Sequence, residues 1–217
     1  MKKYIKYIII IFLIIILLGL IKISLQKDYK KVESGNNKSI KEIEEYILNI
    51  TSYKAEMNVK ITSNKNENTY KINQQVTSQK EIQKTQEPKE IKGLEIIYEN
   101  GELEVKNTNL NISKIYKDYP QLLENRLFLT SFISKYKSSK NKEIYEINNG
   151  TIVMEIKEET NQKLYINKTT LKPEKIEIIN KNNGNKVYIL YNEIKINSLK
   201  KEDILAFKFN KFFVAQY

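Results

Sequence analysis

Residues 164–178 read LYINKTTLKPEKIEI, and this stretch decides the fold. Leu164 and Ile166 alternate with polar residues, Ile176 and Ile178 do the same, and a polar turn with Pro173 stands between the two runs. A period of two puts every second side chain on one face of a strand, so the stretch reads as two strands that each bury one face. Pro173 has no N–H to give to a ladder and belongs at a strand start or on an edge.

Similar runs flank it on both sides, separated by Asn-Gly pairs. Asn100-Gly101 divides residues 94–98 from 103–105, Asn149-Gly150 divides 144–147 from 152–156, and Asn183-Gly184 divides 176–179 from 187–191. Asn-Gly supplies the positive φ values of tight hairpin turns, so the chain reads as an antiparallel meander. Ahead of it, Ser39-Ile-Lys-Glu42 is a capping box that opens a helix with Ile40, Ile43, Ile47 and Ile50 on one face. At Thr51 the period changes: Tyr53, Ala55, Met57, Val59 and Ile61 alternate as in a strand, and Tyr70, Ile72 and Val76 continue in a second.

One helical segment interrupts the strands. Pro120 opens QLLENRLFLTSFISKY, where Leu122, Leu123, Leu127, Phe128, Leu129, Phe132, Ile133 and Tyr136 cover a wide arc. Proline suits a first helical turn, and a helix this apolar must bury most of its surface. The concave face of a curved sheet is the place for it. Core packing is the plain reading. A lipid pocket lined by Leu123, Leu127, Phe128, Phe132 and Ile133 is the sharper one.

The N-terminus is apolar without a break: residues 7–21, YIIIIFLIIILLGLI, lie between Lys2, Lys3, Lys6 and Lys22. Residues 4–25 are long enough to span a bilayer when Lys6 and Lys22 reach the interfaces. No small-residue cleavage site follows, and the chain has no Cys to carry a lipid. The expectation is an uncleaved signal-anchor with Tyr7, Ile11, Phe12, Leu17, Leu20 and Ile21 in its apolar body. A long C-terminal domain is translocated largely regardless of charge, which puts it outside the cytoplasmic membrane. Residues 27–38 read as a polar tether, Phe207 and Phe209 as an edge strand, and Phe212, Phe213 and Tyr217 as a tail able to dock.

Composition narrows the chemistry. The 217 residues hold no Cys, no His and no Trp, and Arg126 is the single arginine. The commonest general base and the usual metal ligands are therefore missing. Ser131, Ser134, Ser138 and Ser139 lie near Lys135, Lys137 and Lys140 without a nucleophile elbow, and Glu44–Glu45 and Glu158–Glu159 read as solvated faces. Residues 1–31 carry seven Lys against one Asp, leaving 30 basic against 25 acidic side chains in the other 186. That mild, interspersed excess is unlike the basic face of a nucleic-acid binder. The reading is a non-enzyme without cofactor or metal.

The order of features is more specific than any one of them. A capped helix runs into TSYKAEMNVKI (51–61), then come a polar strand pair ending at Glu87-Pro88-Lys89, the IYENGELEV hairpin (97–105), the Pro120 helix, LYINKTTLKPEKIEI, and NGNKVYILYNEIKIN (183–197). This order resembles the LolA-like lipoprotein-carrier family. Leu164, Ile166, Thr170 and Pro173 match its L-x-I-x-x-x-T-x-x-P strand, and Gly184 and Tyr191 match the return. Within that family the chain looks most similar to the GerS-like germination lipoproteins of spore-forming clostridia, except that their lipobox Cys is absent and a transmembrane anchor stands in its place. The resemblance implies a curved antiparallel β half-barrel with helices packed on its concave face (39–209), so that with the N-terminal transmembrane helix (1–26), the tether (27–38) and a tail (210–217) read above the whole is expected to be an α+β protein. It also implies a non-catalytic partner of a cell-wall N-acetylmuramoyl-L-alanine amidase in spore formation, on the outer side of the cytoplasmic or forespore membrane of a Gram-positive bacterium. A lipid or lipoprotein carrier is the alternative.

Overall fold

The computed structural model describes residues 37–117, 127–148 and 150–197. The expected anchor with Tyr7, Ile11, Phe12, Leu17, Leu20 and Ile21, residues 118–126 with Pro120 and Leu123, and the C-terminal edge strand and tail lie outside them. Among the described residues no helix is long and apolar enough to cross a membrane.

Helix α1 (Ile40–Leu48) forms as its capping box requires: Ser39 Oγ accepts the Glu42 N–H at 3.3 Å, and the Glu42 carboxylate accepts the Ser39 N–H at 2.7 Å. Ile43, Ile47 and Ile50 turn inward. The chain then makes strands β1 (Tyr53–Thr62), β2 (Glu67–Val76), β3 (Lys80–Glu87), β4 (Leu94–Glu99), β5 (Glu102–Asn107) and β6 (Ile112–Tyr116). After helix α2 (Leu129–Ser138) come β7 (Lys142–Ile147), β8 (Thr151–Ile156), β9 (Thr160–Asn167), β10 (Pro173–Asn180) and β11 (Lys186–Ile196).

All eleven strands form one open sheet in the order β6-β5-β4-β3-β2-β1-β11-β10-β9-β8-β7. Every neighbouring pair is antiparallel. Strand β1 sits at the centre, paired with β2 on one side and β11 on the other, so two wings fan out from it. Register shifts at Glu56/Met57, Lys71/Ile72 and Pro173/Lys175 mark bulges, which add local twist and curl the sheet.

The stretch 164–178 is the β9–β10 hairpin. Pro173 is the first residue of β10 and sits at the bulge, where its missing N–H costs no ladder bond. Leu171, in the turn, holds φ at +56° and is almost completely buried. A left-handed leucine costs about 1–2 kcal/mol. Burying its side chain offsets that by about 1.5–3 kcal/mol.

The three Asn-Gly pairs do not behave alike. Asn100 (φ 53°) and Gly101 (φ 82°) make the two-residue turn expected between β4 and β5. Of the second pair Asn149 lies outside the described residues; Asn148 before it holds φ at 45° and Ile147 lies opposite Thr151, while the β10–β11 loop holds four residues between Asn180 and Asn185. The third pair therefore sits in a longer loop than the first.

Helix α2 also differs from its expected extent. Its described residues begin at Leu129, and Phe128 is extended (φ −91°, ψ 138°), so Leu127 and Phe128 precede the helix. The sheet holds them there. Gln74 Nε2 donates to the Leu127 carbonyl at 3.0 Å, and the Leu129 N–H donates to Tyr53 Oη at 3.0 Å. One core joins α1 and α2 to β1, β2 and β8–β11: Ile43, Ile47, Met57, Met154, Leu164 and Ile166 are fully buried in it.

Candidate binding surface

The two wings of the sheet are built differently. Strands β3–β6 contribute no residue to the hydrophobic core cluster. Register still sorts their side chains by face: Tyr98 lies opposite Glu81 and Leu103, and Ile96 lies opposite Gln83 and Val105, all on the helix side. These apolar residues are only half-buried, and every residue of β6 is exposed. Of the five large hydrophobics exposed among the described residues, four cluster at this edge: Leu110 (65%), Ile112 (61%), Ile115 (55%) and Tyr116 (36%). The fifth, Leu190 (50%), stands by itself on β11.

The turn leading into β6 is tied down. The Thr108 N–H donates to the Gly93 carbonyl at 3.1 Å, and Asn109 Nδ2 donates to the Lys92 carbonyl at 2.6 Å. Asn107 Oδ1 accepts the N–H groups of Asn109 and Leu110 at 3.0 and 3.2 Å. Gly93 holds φ at +84°, and a Cβ there would stand 2.9 Å from side-chain atoms of Thr108 and Asn109. The positive φ is what calls for glycine, and a Cβ would in addition make the Thr108 and Asn109 side chains shift. The apolar edge is thus held out by a built turn.

Behind the edge, the helix-distal face of β2–β6 carries a groove of about 670 Å³ floored by Ile82 and Ile97. Ion pairs wall it: Lys84 and Lys106 approach Glu95 at 2.8 and 2.9 Å, and Ser113 Oγ donates to Glu104 at 2.8 Å. Burial pushes the Glu95 carboxyl up, but the hydrogen bonds and charges of Lys84 and Lys106 outweigh it and hold the group below its ordinary value. On the opposite wing the outer face is closed by tyrosine–carboxylate pairs. Tyr145 donates to Glu155 and Tyr165 to Glu177, each at 2.8 Å, with Lys175 Nζ 4.0 Å from the Tyr165 ring centre.

The residues expected to line a pocket lie apart from this surface. Phe128, Phe132 and Ile133 are buried in the core, Leu127 is half-buried, and Leu123 is outside the described residues. Of the serines weighed as nucleophiles, Ser131 is buried, Ser138 bonds the Lys135 carbonyl and Ser139 bonds Glu158 at 2.6 Å. Glu44 accepts the Tyr136 hydroxyl at 2.9 Å. Among the described residues no group of three acidic side chains is placed to hold a metal. Sequence reasoning missed β6. Ile112 and Ile115 are three apart, so they break the period of two; the only local signal was the polar turn at 107–111 before them.

An open, curved antiparallel sheet with two helices on one face defines the class, and the solved structures similar to this chain include LolA superfamily proteins. No protein-family model and no curated protein matches the sequence. A LolA superfamily protein from Nitrosomonas europaea is 12% identical over 76% of this chain and 96% of its own, with a TM-score of 0.41. A chain in the complex of the CwlD amidase from Clostridioides difficile with the GerS lipoprotein is 21% identical over 74% of this chain and 92% of its own, with a TM-score of 0.39. A chain of the MucA/MucB complex of Pseudomonas aeruginosa is 14% identical over 76% of this chain and 58% of its own, with a TM-score of 0.42.

Proposed function

We propose that this chain is a membrane-tethered, non-catalytic binding protein whose β3–β6 wing docks an extracytoplasmic protein partner. The observation that carries the reading is the apolar edge: Leu110, Ile112, Ile115 and Tyr116 gather on one strand and its turn, whereas Leu190 is the one other exposed large hydrophobic among the described residues and stands by itself. Clustered exposed apolar residues mark interaction sites, whereas scattered ones do not. The partner class is taken from the GerS-like resemblance: a cell-wall N-acetylmuramoyl-L-alanine amidase working in spore formation. The apolar N-terminus anchors the chain in the cytoplasmic or forespore membrane, with the sheet on the outer side.

The test is calorimetric titration of the full chain, in detergent, with purified cell-wall amidases. Binding is expected for one of them and is lost when Ile112 and Ile115 are both replaced by Lys. Absence of binding to any amidase sinks the partner assignment; binding that survives the double substitution sinks the docking surface. An acyl chain between sheet and helix ranks second, because it must open space that Phe128, Phe132 and Ile133 fill. Native mass spectrometry of the membrane-extracted chain decides it by the presence or absence of co-bound lipid.

A further inference from the structure

We infer that β6 receives an extended segment of the partner as a twelfth strand, and that this segment carries an acidic residue facing Lys114. The inference rests on the docking role of the β3–β6 wing and specifies how that wing binds. The argument begins at the Asn100-Gly101 turn. A two-residue hairpin turn makes its flanking residues, Glu99 and Glu102, a hydrogen-bonded pair. Hydrogen-bonded and non-hydrogen-bonded pairs then alternate down an antiparallel ladder. On β5, residues 102, 104 and 106 therefore bond toward β4, and the Thr108 N–H bond to the Gly93 carbonyl continues the series. Leu103, Val105 and Asn107 bond toward β6, where their partners are Tyr116, Lys114 and Ile112. The backbone N–H and C=O of Ser113 and Ile115 then point away from the sheet, along an edge that no other strand among the described residues pairs with.

Such an edge is a template for strand addition. Side chains choose the occupant. Ile112, Lys114 and Tyr116 share the helix side of β6, with Lys114 Nζ 4.9 Å from the Tyr116 ring centre. Lys114 and the adjoining Lys117 are exposed, and residues 110–117 contain no acid. A second copy of the chain fits poorly. Antiparallel self-pairing over the whole strand sets Lys114 against Lys114 in a non-hydrogen-bonded pair, where side chains lie closest, and like charges directly opposite are destabilising. An acid between two apolar residues fits the same row: apolar against Ile112, Asp or Glu against Lys114, apolar against Tyr116.

The probe is a fluorescein-labelled heptapeptide, Thr-Val-Thr-Glu-Thr-Val-Thr, titrated into the full chain in detergent, with its Glu-to-Lys version as control. Saturable polarisation is expected, with the control at least about tenfold weaker and slowed amide exchange in the 110–117 fragment. Ser113→Pro removes an outward N–H without touching the β5 ladder and should abolish binding, whereas Ser113→Ala, which keeps the N–H, should bind. Absence of protection at 110–117 in the unmutated chain overturns strand addition, whatever the proline variant does. Equal binding of the two peptides overturns the acidic assignment. A chain dimer in sedimentation that Ser113→Pro dissolves makes a second copy the occupant and overturns the proposal. Amidase binding that falls with the Ile112 and Ile115 substitutions but survives Ser113→Pro overturns strand addition alone; survival through both overturns docking itself.

Discussion

The two wings of one sheet solve the burial problem in opposite ways. Around β1, β2 and β8–β11, alternate side chains pack against α1 and α2 and leave almost no exposed area. Across β3–β6 the same alternation continues, but the helix-side residues are half-buried and the strands are braced by ion pairs on the other face. The first wing derives its stability from apolar contact. The second derives its order from hydrogen bonding and from attachment to the first, and among the described residues no strand pairs with its outer edge.

The contrast is broken most directly in the core. Leu164→Ala should lower unfolding free energy by about 2–5 kcal/mol, because Leu164 is fully buried and its loss leaves a cavity. Urea titration followed by circular dichroism measures it. A loss under about 1 kcal/mol would mean that the covered wing is not packed as described. The next effect is polar. Tyr53→Phe strips the buried chain in which the Leu129 N–H donates to Tyr53 Oη and Tyr53 donates to Gln74, at 3.0 and 2.8 Å. Two groups lose their partner, at about 1–3 kcal/mol each if they stay dry. Tyr191→Phe is the matched opposite: its buried hydroxyl has no partner among the described residues, so its removal should be neutral or stabilising.

What was legible in the sequence follows the same division. The covered wing announced itself because burial on one face imposes a strict period: Tyr53 to Val59 and Leu164 to Ile166 read as strands from alternation, whereas Ile152 to Ile156, buried on both faces, was marked only by the Asn-Gly pair before it. Capping chemistry was equally local, so Ser39 and Glu42 could be read without a fold. The open wing was harder. Its one turn at Asn100-Gly101 was plain, yet β6 was silent, since an exposed edge strand is under no pressure to alternate. The start of α2 failed for a different reason. Nothing local shows that Gln74 and Tyr53, more than fifty residues away, hold Leu127 and Leu129 at the sheet.

Acidity and alkalinity should act on different parts of the sheet, although Glu155 and Glu177 on the outer face of the covered wing are held below their ordinary values like Glu95. Lys84 and Lys106 hold the Glu95 carboxyl below its ordinary value despite its burial, so that brace is fully present above the ordinary carboxylate range and is lost as pH falls through the lowered value. Burial pushes Tyr53, Tyr136 and Tyr191 up, so their contribution is complete below the ordinary tyrosine value and disappears as pH rises above it. Hydrogen exchange, corrected for intrinsic rates, should therefore show residues 94–107 opening before 53–59 toward pH 3, and the reverse order toward pH 11. Uniform opening at both extremes would mean that the wings are one cooperative unit.

The smallest change in stability sharpens the comparison most. Ile112 is 61% exposed, so Ile112→Ser removes little buried surface and should alter unfolding free energy by no more than about 0.5 kcal/mol. Its effect on partner binding should be far larger, a loss of about tenfold or more, because an apolar residue at the centre of a docking edge is buried only in the complex. In the covered wing, stability and any function must fall together, since the same contacts serve both. In the open wing they should separate. A variant that melts with the wild type yet no longer binds would show that the edge is kept apolar for a partner, whereas parallel losses would return Ile112 to the service of the fold.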